Sequence, residues 1–379
     1  MSVTTAPPST HVPRWESLPD AAPHNQTPAK IGRHLVSADQ FTRESLEKLA
    51  ELAGTMEKFY EQCHEVLRQP SSKRFSRNRI VAAFRKEHGV GERLMAPIIF
   101  ESSARTYGSF YSAWKYLGGD YLFPMTNAAE SSSTTKHESF ESTISTLARY
   151  GPNVIVVRHK QNGAAKLAAQ VVPYGCSIIN AGDGTNEHPT QALGDFITMR
   201  KFHDNLCGLR IAFGGDIKHG RTVRSLAILL SNPQLGVKQM YFCAPPAAQI
   251  DEQLSTVLMR RGVNFCCVQK KWPELIQDRA IDIYYQTRIQ YERIPDPEVR
   301  SLMSTTQPSY EITEQIMQTM QKNGQLLMHP LPINSLNPEI LPECEQFENA
   351  IYKTQAQVGL WARMALLSHM FGPNGTALD

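Results

Sequence analysis

The sequence predicts an α/β protein of two domains, each a parallel sheet covered by helices on both faces. Beyond residue 150, short apolar runs alternate with amphipathic segments of helical period. The runs are continuously apolar, as expected of strands buried on both faces, and that pattern belongs to parallel sheets. A chain of 379 residues suits one large or two medium domains, and the runs divide between its halves.

Each element can be justified in order. Leu46, Leu49, Leu52 and Met56 recur at near-helical spacing and predict a helix over 37–67. Residues 71–90 are largely polar and basic and predict no element. LMAPIIFESS reads as a short buried strand running into a loop. Phe110, Ala113, Trp114 and Leu117 fall at i, i+3, i+4 and i+7, one buried helix face. Gly118-Gly119 ends that helix. Residues 127–139, NAAESSSTTKHES, have almost no apolar anchor and predict a mobile loop. Phe140, Ile144, Leu147 and Ala148 share one face of the next helix. The alternation follows: strands NVIVVRH, CSIINAGDG, LRIAFGGD, QMYFCAP, DIYYQTR and QLLMHPLP, and helices AAKLAAQVV, PTQALGDFITMRKF, TVRSLAILLS and EQLSTVLMRRG. Pro189 sits in the first turn of its helix, where its missing N–H costs nothing. A final, strongly apolar helix near 355–370 suits packing back on the first half.

Several function classes are excluded. Net charge is +3 with no long basic block, so nothing calls for a nucleic-acid partner. No run of about 18 apolar residues predicts a membrane span. The seven cysteines are scattered, odd in number and free of C-x-x-C pairs. That fits reduced, buried thiols in the cytoplasm and argues against structural zinc. The Pro-, Ser-, Thr- and Ala-rich tail, residues 1–34, lacks the apolar core of a signal peptide and reads as flexible.

In open α/β sheets, ligands bind beyond the carboxyl ends of the strands. Those ends carry, in turn, Ser102, Ser103, Arg105 and Thr106; Arg158 and His159; Glu187 and His188; Lys218, His219, Arg221 and Thr222; Thr287, Arg288 and Gln290; and His329-Pro330-Leu331-Pro332. Four of the six ends hold an arginine, whose planar fork suits phosphate and carboxylate. A solvated surface arginine explains any one of them, but not four together. Ser103 could be a plain helix cap. One serine satisfies that reading, whereas Arg105 and Thr106 in the same first turn favour an anion at the helix N-terminus. His188, just before Pro189, could likewise cap its helix. FGGDIKHGRT does not fit G-x-G-x-x-G, and there is no Walker A motif and no G-x-S-x-G elbow. His188 and His329 have no carboxylates at metal-ligand spacing, so neither a metal nor a cofactor is expected.

These motifs together resemble the aspartate/ornithine carbamoyltransferase family, its aspartate branch most, from roughly Leu35 to Phe371. SARTYGSF resembles the family's carbamoyl-phosphate loop. VVRH, NAGDGTNEHPTQAL, GDIKHGRTVRSL, YYQTRIQYER and HPLP resemble the aspartate branch. The resemblance implies a carbamoyl-phosphate-binding domain, 35–187, completed by a C-terminal helix at 355–371, and an amino-acid-binding domain, 188–354. It implies carbamoyl transfer from carbamoyl phosphate to aspartate, and a homotrimer with shared sites. It gives Arg105, Thr106, Arg158, His188 and Lys136 catalytic roles. It makes Ser103, Ser132, Gln191, Arg221, Thr222, Arg288, Gln290 and Leu331 substrate contacts, with Ser132 and Lys136 reaching a neighbour's site. Three residues depart from the family's pattern: Ala104 where a threonine is usual, which removes one hydroxyl donor, and Tyr107 and Ile333 where arginines are usual. A carbamoyltransferase for another amine, or an inactive partner subunit, therefore stay open as alternatives.

Overall fold

The computed structural model describes residues 32–68, 74–122, 127–128, 136–268, 275–276, 280–294, 296–306 and 310–375. The expected flexible tail falls outside these residues up to position 31, as does most of the expected mobile loop, Ser132 included.

Helix α1, Arg43–Leu67, opens on a capping box in which Thr42 and Ser45 exchange side-chain and backbone hydrogen bonds. It buries Leu46, Leu49, Ala53, Met56, Phe59 and Cys63. Helix α2, Arg74–His88, occupies the polar stretch where the sequence predicts nothing. Its apolar side is narrow (Ile80, Val81 and Phe84), and a tertiary contact stabilises it: Phe84 stacks on Phe59 of α1. Local composition cannot report such a contact. Arg85 of α2 also donates to the carbonyls of Lys115 and Tyr116, at the end of the next helix, where its charge meets the negative dipole end.

The first sheet is parallel, in the order β2-β1-β3-β4: β1 Leu94–Ile99, β2 Asp120–Tyr121, β3 Val154–His159 and β4 Ser177–Asp183. Between its strands lie α3 Ala104–Tyr116, α4 Phe140–Ala148 and α5 Ala164–Val171. Helix α6, Pro189–Phe202, leads to a second parallel sheet. Its order is β7-β6-β5-β8-β9, from β5 Arg210–Gly214, β6 Gln239–Cys243, β7 Phe265–Val268, β8 Ile283–Gln286 and β9 Leu326–Met328. Helices α7 Arg221–Leu230, α8 Glu252–Arg260, α9 Pro297–Thr306 and α10 Glu314–Lys322 connect these strands. The last helix, α11 Tyr352–Phe371, packs against α6, α1 and α3. Its return to the first half buries Val358, Trp361, Met364, Leu366, Leu367, Met370 and Phe371.

The two-sheet α/β class matches the expectation. The pattern missed β2, which is two residues long, and β7, an edge strand that is only partly buried. It also missed α2, α9 and α10. One expectation about cysteine needs correction. All seven thiols are free, but Cys207 and Cys267 are exposed. Cys267 lies on the edge strand β7, whose unpaired side leaves it accessible. Among the described residues no helix is long and apolar enough to cross a membrane.

Candidate active site

The carboxyl ends of both sheets and the start of α11 surround one cavity of about 310 Å³. Of the predicted site residues, Ser103, Arg105, Thr106, Arg158, His188, Gln191, Arg221, Thr222, Arg288, Gln290 and Leu331 all line it. Lys136 is exposed and does not line it. Ser132 lies outside the described residues.

The capping reading of Ser103 fails. Ser103 occupies the N-cap position of α3 but makes no side-chain cap bond. Its hydroxyl donates instead to Thr106 Oγ1 at 2.9 Å. The first turn of α3, whose Ser103, Arg105 and Thr106 line the cavity, therefore has no side-chain cap on its N–H groups. Arg105 stands beside them, and burial lowers its pKa with no carboxylate acting against that. Ala104 behaves differently from what its family position suggests. It is exposed and outside the cavity lining, so in this chain its side chain does not address the anion. Ile333 packs on the apolar core beneath the second sheet.

Arg158 and Arg221 are braced by a residue the sequence reasoning passed over. Glu101 accepts from Arg221 Nη1 at 2.7 Å and from Arg293 Nη2 at 2.8 Å, and lies 3.6 Å from Arg158 Nη2. Burial opposes its charge, but the three guanidiniums prevail and hold its carboxyl below the usual range. Arg158 also donates to the carbonyls of Glu101 and Ala181, and Arg221 to that of Gly184. Burial pushes Arg158 down to about 9. Gly182 is required beneath this pair. It has φ +114, and an added Cβ would sit 3.0 Å from Arg221 Cζ and 3.1 Å from Arg158 Nη1.

His188 does not cap α6 either. Its backbone N–H donates to Ser225 Oγ at 2.7 Å, and its Nδ1 lies 3.3 Å from Thr190 Oγ1. Burial and the charges of Arg158, Arg221 and Arg363 push its pKa well down, so the ring is neutral at physiological pH. If the Thr190 hydroxyl donates to Nδ1, the ring proton is on Nε2. Beyond β8, Arg288 pairs with Glu292, and Gln290 Nε2 donates to the His219 carbonyl at 2.8 Å. Leu331 adopts a left-handed φ of 52°, its N–H donating to His329 Nδ1 at 2.8 Å, and its peptide bond to Pro332 is cis.

Other lining residues escaped the sequence reading: Ser109, Gln355, Gly359 and Arg363. The last three had a signal. They stand four residues apart on one face of the helix, where Gln355, Gly359 and Arg363 interrupt the apolar residues that would mark core. Glu101 had one too, as an acid between a strand and a cationic loop. Among the described residues no group of three or more potential metal ligands occurs.

Two parallel sheets joined around an arginine-rich cavity define a protein that handles small polyanions. Residues 33–201 match the aspartate/ornithine carbamoyltransferase carbamoyl-P binding domain, and residues 207–370 match the Asp/Orn binding domain of that family. The chain belongs to the aspartate/ornithine carbamoyltransferase family. It is 35% identical over 348 residues to the aspartate carbamoyltransferase catalytic subunit of Thermococcus kodakarensis, covering 91% of this chain and 98% of that one. It is 34% identical over 334 residues to the chloroplastic aspartate carbamoyltransferase of Oryza sativa, covering 88% and 83%. Its fold is similar to that of Trypanosoma cruzi aspartate transcarbamoylase in complex with carbamoyl phosphate and aspartate, with TM-score 0.74, 30% identity, and 90% and 98% covered.

Proposed function

We propose that this chain transfers the carbamoyl group of carbamoyl phosphate to the amine of aspartate, giving N-carbamoyl-aspartate and phosphate in pyrimidine synthesis. One observation carries the reading: Arg105, Arg158, Arg221 and Arg288, from four separate strand ends, converge on a single cavity in a chain of this family. One phosphate and two carboxylates are the anions such a cavity balances.

Ser103, Arg105, Thr106 and the first-turn N–H groups of α3 hold the phosphate. Arg158, Thr106 and neutral His188, donating through Nε2, address the carbamoyl oxygen. Gln191 donates through Nε2 to Asp195 at 2.8 Å, which turns its Oε1 towards the carbamoyl NH2. Arg221, Thr222, Arg288 and Gln290 take the carboxylates of aspartate, and Leu331 offers backbone contacts. The uncharged amine attacks the carbamoyl carbon, the C–N bond forms, and charge grows on the carbonyl oxygen. The donors already in place stabilise that charge without reorganising. The bond from carbon to the phosphate oxygen then breaks, and phosphate leaves with the amine's proton. Positioning two anions side by side supplies the rest of the rate.

The active form in this proposal is a cytoplasmic homotrimer in which Ser132 and Lys136 enter a neighbour's site. The exposure of Lys136, away from its own chain's cavity, supports that arrangement. The proposed domains are 35–187 with 355–371, and 188–354. The test is phosphate release from carbamoyl phosphate across a panel of amino acids. Release that depends on aspartate is expected. Release with another amine alone, or with none, overturns the reading.

A further inference from the structure

We propose that Asp195 is the positioning residue that makes the cavity select a carbamoyl NH2 group. The inference rests on the carbamoyl phosphate reading above. Asp195 is fully buried on α6, one turn beyond Gln191. Its Oδ1 accepts from Gln191 Nε2 at 2.8 Å and from Gln355 Nε2 at 2.7 Å, and its Oδ2 accepts from the Tyr285 hydroxyl at 2.7 Å. Three donors from α6, α11 and β8 thus meet on one carboxylate.

The chemistry follows from what each group can do. An ionised carboxylate only accepts hydrogen bonds, whereas a glutamine amide can face either way. Asp195 therefore settles which way both glutamines face. Gln191 must give it Nε2 and present Oε1 to the cavity. Gln355 must do the same, and its Oε1 accepts the His329 N–H at 2.8 Å, at the base of the His329–Pro332 turn. Burial raises the Asp195 carboxyl to about 6 against the pull of these donors, so it remains ionised at neutral pH. An Oε1 facing the cavity accepts from the NH2 of a carbamoyl group. It has no partner on the methyl of an acetyl group of the same size, and a polar group left unpaired disfavours that ligand.

The test compares the affinities of carbamoyl phosphate and acetyl phosphate by titration calorimetry at neutral pH, without aspartate, for the parent and two variants. Asp195→Leu removes the acceptor, so the preference for carbamoyl phosphate is expected to fall about tenfold. Asp195→Asn keeps an oxygen for both glutamines and turns its NH2 to the Tyr285 oxygen, so the preference is expected to stay within about threefold. A Leu variant that keeps the parent's preference overturns the inference. So does an Asn variant that loses it, which decides the matter if the Leu variant does not fold. A parent with no preference overturns it as well. Phosphate release with aspartate is scored separately, so failure of the transfer reading is seen apart from failure at Asp195.

Discussion

The two walls of the cavity hold their positive charge differently. At the start of α3, Arg105 makes no hydrogen bond or ion pair with any other described residue. Along the other part of the lining, Arg158 and Arg221 share Glu101 with the neighbouring Arg293, and Arg288 holds Glu292, while Arg363 donates to the Gly359 carbonyl. An exposed cation without a counter-charge contributes nothing to folding that a neutral residue could not. Its place at the rim of a cavity lined by further cations suits an anion beside it. Cations that share a carboxylate are part of the folded structure first and a binding surface second. Three guanidiniums against one carboxylate still leave that wall positive.

Replacing the arginine that lacks a carboxylate tests the contrast hardest. Arg105→Ala should lower kcat/KM by at least about 10²–10³-fold, the usual loss for one preorganised donor to developing charge. The thermal midpoint should not fall, because no internal pair is broken. A variant with near-normal turnover, or one that unfolds, would remove the distinction between the walls.

Glu101→Gln probes the other wall. It leaves three guanidiniums, Arg221 buried and Arg158 and Arg293 partly so, without their carboxylate, so stability should drop by about 1–3 kcal/mol, between the values for exposed and fully buried pairs. Activity should fall with it, since Arg158 and Arg221 lose their brace. A denaturant titration with an unchanged midpoint would mean that Glu101 is dispensable to the fold.

Acid should loosen the first sheet before the second. His34 Nδ1 accepts from the Ile178 N–H and His159 Nδ1 from the Gln161 N–H, both at 3.0 Å. Burial lowers each to about 4, with Arg33 adding to it at His34 and Glu101 opposing it at His159. Between about pH 6.5 and 4 the unfolded chain binds protons that the folded chain does not, so stability falls as pH falls. Asp183, raised by burial, Glu187, raised to about 7, and Asp195, raised to about 6, work the other way. They are outnumbered, because His188, His203 and His369 are lowered too. Amide exchange at pH 5 should quicken in β3 and β4 ahead of β5 and β8. The reverse order, or stability that rises from pH 7 to pH 5, would count against this account.

Legibility in the sequence followed the same division. The strand ends carrying Arg105, Arg158, Arg221 and Arg288 were readable because topology dictates where ligands bind, and cations at those ends are conspicuous. Asp195 was not, and the weaker signals of Glu101, Gln355 and Arg363 went unread, because their roles depend on contacts between distant segments. Helix α2 was missed for a related reason: its stability comes from Phe59 and from the end of α3, not from its own composition.

Ala104 gives the smallest expected effect and the finest test of the Arg105 wall. The sequence marks it as a lost phosphate donor, but its side chain is exposed and outside the cavity. If a hydroxyl at this position has no anion to reach, Ala104→Thr should leave the carbamoyl phosphate KM and kcat within about threefold of the parent. It occupies the first helical position, where a β-branched residue crowds no preceding turn, so the thermal midpoint should barely move. A tenfold tightening for carbamoyl phosphate would show that position 104 faces the phosphate in the assembled enzyme. The wall would then have been built with one donor fewer than its relatives, and Arg105 would carry more of the binding.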